Sequence, residues 1–205
     1  MKKINCILAV LLMLAAVTAS AATTTASQLV DAAAAKLRSA RSVTIEFTAS
    51  GTQPAPTSNG RFTVAADRFR IDSPEARVWY DGKTQWTWTE ASGEVNITEP
   101  TVEEIAQVNP YAILNSLRSR YKARYLGKPS DRTVVLTPAM PDPPILRAEI
   151  TFGNNGYPSV MKLNMSSGES VTIKVVSVKT GGDLPVSYFR FTPAQAPGAE
   201  IVDLR

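Results

Sequence analysis

The spacing of apolar residues changes along this chain, and each change marks an element. Over residues 25–40, Val30, Ala33, Ala34 and Leu37 recur at helical intervals, and Thr25 precedes Gln28 by the three residues of a capping box. From Val43 the period falls to two. Val43, Ile45, Phe47 and Ala49 then face one way and Thr44, Glu46 and Thr48 the other, which predicts a strand with one buried face. Between Gly60 and Thr98 short alternating runs follow, punctuated by Asn59-Gly60, Asp81-Gly82 and Ser92-Gly93, and the Asp-Gly pair between two aromatic runs reads as a hairpin turn in an antiparallel meander. Read as one surface, Phe62, Val64, Phe69, Ile71, Trp86 and Trp88 share a face. Trp79 falls in phase with Arg77 and is expected on the exposed side.

Residues 101–118 break this rhythm. Thr101 and Glu104 again have capping-box spacing, and Pro110 after Asn109 restarts a helix at a favoured first position, so two short helices are predicted. The second carries Tyr111, Ile113, Leu114 and Leu117, more apolar surface than a short surface helix needs, and is expected to cover something. Arg118, Arg120, Lys122 and Arg124 then alternate with Ser119, Tyr121, Ala123 and Tyr125, which reads as a strand with a solvated basic face. Strands are predicted at 133–137, 146–152, 160–165, 171–178 and 188–191, and the proline-rich stretch 138–144 must be a loop. About eleven strands with no fixed repeat and no linker predict one mostly β domain over residues 22–205. The helices favour a single curved antiparallel sheet, an open half-barrel closed by a lid of short helices, over a two-layer sandwich.

The first 21 residues stand apart. Lys2 and Lys3, the apolar run from Ile4 to Val17, and Ala19-Ser20-Ala21 have the anatomy of an export signal cleaved near Ala21, and the apolar run falls short of the ~20 residues of a membrane span. A periplasmic protein is the expectation. Removing this leader takes away the sole cysteine, Cys6, and two lysines, which lowers the formal charge from +4 to +2. No nucleic-acid partner is implied at that charge, and the fold must stand without a disulfide.

The chain has no histidine, and no nucleophile elbow or paired acidic metal motif. Asp72, Glu75 and Asp81 read as turn residues. No catalytic residue, metal or cofactor is therefore assigned, and binding is the expected activity. The candidate lining of an apolar cavity is Phe47, Phe62, Phe69, Ile71, Trp86, Trp88, Phe152, Met161, Leu163 and Met165, the methionines adapting their shape to a variable ligand. Leu37, Tyr111, Ile113, Leu114 and Leu117 are the candidate lid.

Five short motifs occur in a telling order: Ile45-Glu46-Phe47-Thr48 before a strand led by Gly60, Asp81-Gly-Lys-Thr-Gln-Trp86, Asn109-Pro110-Tyr111, Val135-Leu136-Thr137-Pro138, and Phe189-Arg190-Phe191-Thr192-Pro193. Together they resemble the LolA-type outer-membrane lipoprotein carriers over essentially all of residues 22–205. The resemblance implies a half-barrel whose cavity receives the acyl chains of lipoproteins. It implies loading by an inner-membrane ABC-type releasing complex, delivery to an outer-membrane receptor or the membrane itself, and a monomeric state. A lipid-binding sensor, or a carrier of another lipid, would use the same fold. One departure stands out: the strand ending in Val64-Ala65-Ala66-Asp67 lacks the arginine that the family places there to bond the lid. Arg61, Arg68 and Arg70 alternate with Phe62 and Phe69 and are expected to point outward.

Overall fold

The computed structural model describes residues 24–51, 57–101, 104–105 and 120–205. The expected export signal and the candidate lid residues Tyr111, Ile113, Leu114 and Leu117 lie outside them. Helix α1 spans Ala26–Ser39. Its N-cap is Thr25, whose hydroxyl accepts from the Gln28 N–H at 3.2 Å while the Gln28 side chain accepts from the Thr25 N–H at 2.8 Å. Leu29, Val30, Ala33, Ala34 and Leu37 form its buried stripe.

Twelve strands make one sheet. In chain order they are β1 (Ser42–Ser50), β2 (Ser58–Ala65), β3 (Arg68–Asp72), β4 (Ala76–Tyr80), β5 (Gln85–Thr89), β6 (Glu94–Thr98), β7 (Tyr121–Tyr125), β8 (Thr133–Pro138), β9 (Ile145–Phe152), β10 (Pro158–Met165), β11 (Ser170–Gly181) and β12 (Glu200–Asp203). The spatial order is β12-β6-β5-β4-β3-β2-β1-β11-β10-β9-β8-β7. Two antiparallel meanders, β1–β6 and β7–β11, thus join through the central β1–β11 pair. The ends β7 and β12 do not meet, which leaves an open half-barrel with α1 across its inner face. The register of β1 on β11 shifts between Glu46 and Phe47, so that Val176 bulges out of the ladder.

The core lies between α1 and the inner face. Val43, Val64, Phe69 and Tyr80 pair across β1 to β4 beneath the helix, and Leu136, Ala148 and Leu163 do the same across β8 to β10. Two polar ties fix the helix. The Tyr125 hydroxyl donates to the Thr24 carbonyl at 2.6 Å, and the Lys36 ammonium donates to the Asn155 carbonyl at 2.6 Å and sits over the Tyr157 ring.

The C-terminal segment departs from its expected form. Val186–Phe189 is a 3-10 turn, not part of a strand: Pro185 holds φ at −65°, and the Tyr188 N–H closes onto the Pro185 carbonyl at 3.0 Å. The chain then returns to the far edge, where β12 pairs with β6 in parallel. The sheet therefore has twelve strands, and it is antiparallel except at this pair.

Candidate functional site

Cross-strand pairing carries the inner face from one side of the sheet to the other. One row runs Val178, Ile45, Phe62, Ile71, Val78, and a second runs Ala49, Ile173, Met161, Ile150, Val134. Phe47 stands beside them over Gly60. Its ring comes within 2.4 Å of where a Cβ on residue 60 would sit, so a side chain there would evict it. Of the ten candidate lining residues, Phe47, Phe62, Phe69, Ile71, Phe152, Met161, Leu163 and Met165 join one apolar cluster with Leu37 of α1.

Trp86 and Trp88 do not. Both lie on the opposite, outer face, because Trp86 pairs with Trp79 and Trp88 with Arg77, while Trp79 pairs with Arg70 between the inward Phe69 and Ile71. Alternation fixes side-chain direction within a strand, but the β3–β4 and β4–β5 connections each reverse the parity, so β5 returns to odd positions facing inward, Gln85 and Thr87, and its even-numbered tryptophans face out. The inner face instead turns polar beyond β4, at Gln85 and Thr87, whose side chains are hydrogen-bonded at 3.2 Å. Trp79 is also corrected: it is fully buried. The returning C-terminal segment covers it, with Phe191 edge-on at 5.3 Å and Arg70 and Arg77 over its ring. A strand's own pattern carries no sign of a segment that comes back more than a hundred residues later.

Burial grades across the inner face. Beneath α1 and towards β7–β9, Phe69, Val43, Ile150 and Phe152 are buried. Towards the centre of the sheet Ile45, Phe47, Ile71, Val78, Met161 and Ile173 are half-buried, an apolar strip that α1 leaves partly uncovered. Ile105, the last described residue before 120, packs against this cluster. It is placed by the expected capping box: Thr101 N–H donates to the Glu104 carboxylate at 2.8 Å, and Glu104 N–H to the Thr101 hydroxyl at 3.3 Å. The Thr101 N–H and hydroxyl, which both donate to it, hold the Glu104 carboxyl below its ordinary value.

The strip has no charged side chain, so what it offers a ligand is removal from water. Buried at its margin, the Tyr121 hydroxyl donates to the Ile145 carbonyl at 2.9 Å. Burial raises its pKa above the ordinary tyrosine value, which keeps the donor protonated. Arg68 and Arg70 point away from the strip, over Phe189 and over Trp79 and Tyr188, so they do not replace the missing strand-end arginine. Arg61 pairs with Glu46 at 3.3 Å, also on the outer side.

A curved open sheet, a helix across its concave face and an apolar strip beside it define the class of half-barrel carrier folds. The chain belongs to the outer membrane lipoprotein carrier protein LolA family, whose model matches residues 16–140. Among solved structures, an uncharacterized conserved protein from Thermus thermophilus shares the fold at 12% identity and a TM-score of 0.54, over 86% of this chain and 97% of that one. A LolA superfamily protein from Nitrosomonas europaea matches at 12% identity and a TM-score of 0.41, over 82% and 98%. The MucA/MucB complex of Pseudomonas aeruginosa matches at 17% identity and a TM-score of 0.43, over 82% of this chain and 61% of that one. No curated protein matches the sequence.

Proposed function

We propose that this protein is a periplasmic carrier that shields the acyl chains of lipoproteins against its inner face and moves them from the inner to the outer membrane. The observation that carries the reading is the half-buried apolar strip of Phe47, Ile71, Met161 and their neighbours on the inner face. An acyl chain in water costs ~0.8 kcal/mol per exposed methylene, so each long chain demands on the order of 10 kcal/mol of shielding in transit. The strip supplies an apolar surface for that purpose. With cargo present the acyl chains lie along the strip. Loading comes from an inner-membrane ABC-type complex, and delivery goes to an outer-membrane receptor or to the membrane. Binding and release complete the cycle, with no catalytic step.

The test is native mass spectrometry of the protein recovered from periplasmic extract, with capture of lipidated protein alongside. A complex with an acylated lipoprotein is expected, and it should vanish when the lipoprotein is deacylated. Recovery of free phospholipid alone would replace this reading with a carrier or sensor of another lipid, and protein with no affinity for acyl chains would overturn it.

A further inference from the structure

Charge is divided unequally between the two halves of the sheet. Residues 120–180, which contain β7–β11, carry nine lysines and arginines against four acidic residues. Residues 57–101 and 181–205, which contain β2–β6 and β12, carry seven against ten. The register concentrates the positive half further. Tyr121, Ala123 and Tyr125 of β7, Ile150 of β9 and Met161 of β10 turn inward, so Lys122, Arg124, Arg147, Lys162 and Lys174 all project from the outer face. Glu149, paired across strands with Lys162, holds Arg147 at 2.7 Å. That is the one ion pair among the described outer-face residues of these five strands. Lys122, Arg124, Lys162 and Lys174 are exposed.

We propose that the outer face of β7–β11 docks on the anionic headgroup layer of a membrane. Neighbouring strands lie ~4.8 Å apart, so the cations form a shallow lattice across five strands, about 20 Å wide, which matches a layer of headgroups better than a single anion. Thr137 and Thr172 stand among them on the same face, opposite Lys122 and Lys162 respectively, and add hydroxyl donors for phosphate oxygens. An acidic protein would need a complementary relief, whereas a lipid layer adapts to the convex surface. The negative half of the sheet orients the molecule, since it is repelled while the positive half is attracted. This docking does not depend on what the inner face carries.

Flotation with phosphatidylglycerol-rich vesicles, against pure phosphatidylcholine, tests it on protein expressed with its own leader. Binding is expected to the anionic vesicles alone and to weaken as salt is raised. Each basic residue near an anionic surface contributes on the order of fivefold, so Lys122→Glu/Lys162→Glu/Lys174→Glu should lower partitioning by about a hundredfold or more. Lys83→Glu, on the acidic half, should leave it unchanged. Circular dichroism establishes that the triple variant is folded, and Lys162→Gln alone, an exposed neutralisation, should still weaken binding about fivefold. Equal binding to both vesicle types would overturn the proposal, as would wild-type binding by the folded variants. Capture by soluble polyglutamate with no vesicle binding would reassign the face to an acidic protein.

Discussion

Phe47 and Gly60 show how a single residue shapes the strip. The ring lies flat where a side chain on residue 60 would stand, so Gly60→Ala displaces it, and overpacking of this kind costs roughly 1–3 kcal/mol. Urea denaturation should register the loss, together with weaker acyl binding. Ala66 is the opposite case. It turns the β2–β3 hairpin at φ 55°, a conformation that costs an L side chain about 1 kcal/mol, so Ala66→Gly should stabilise the fold by about that much. Asp81 holds the C-terminal segment to the β4–β5 turn through Arg190 at 2.8 Å. Burial pushes its carboxyl up, but the N–H groups of Thr84 and Lys83 and the Arg190 guanidinium outweigh burial and set the pKa below the ordinary aspartate value. A carboxyl lowered on folding stabilises above its unfolded pKa, and that contribution is lost as pH falls through the folded one. Asp81→Asn should therefore cost roughly 1–3 kcal/mol at neutral pH, and the gap from the parent should close in denaturation series taken below the ordinary carboxylate range.

At the scale of elements, helix α1 is held by its cap and by one apolar stripe. Leu37→Ala opens a hole against the sheet and should cost about 2–5 kcal/mol, whereas Thr25→Ala, which removes the cap alone, should cost about 1 kcal/mol in the same thermal unfolding series. Both features were legible in the sequence, because a cap and a stripe are local patterns within fourteen residues. The strand pattern of the two meanders was equally legible for that reason. What could not be read was how one element relates to the next. Trp86 and Trp88 alternate as inward residues would, yet two parity reversals, one on each side of β4, give the inward positions to Gln85 and Thr87 and put the tryptophans outside. Trp79 looks exposed until the segment from 186 onwards returns to bury it. The parallel pairing of β12 with β6 joins stretches about a hundred residues apart, and a strand that short does not announce it in its local pattern. The lining residues that share the cluster were found because their strands lie next to the central pair or keep its phase.

Over the whole molecule, the sheet divides its tasks by face and by half. The inner face is apolar from β7 across the centre to β4 and polar beyond. The outer face is covered by the C-terminal segment on the acidic half and presents the exposed Lys122, Arg124, Lys162 and Lys174 on the basic half. Such a layout places a water-shielding surface on one side and a charged surface on the other, which suits a protein that shuttles greasy cargo between membranes. The account stands on the inner strip being where acyl chains lie. The measurement that tests this most directly is photocrosslinking with benzoylphenylalanine at position 47, 161 or 88 of the protein loaded with an acylated lipoprotein. Adducts to the acyl chains are predicted from 47 and 161 and none from 88. Adducts from Trp88's position, or silence at 47 and 161 in a loaded protein, would contradict it.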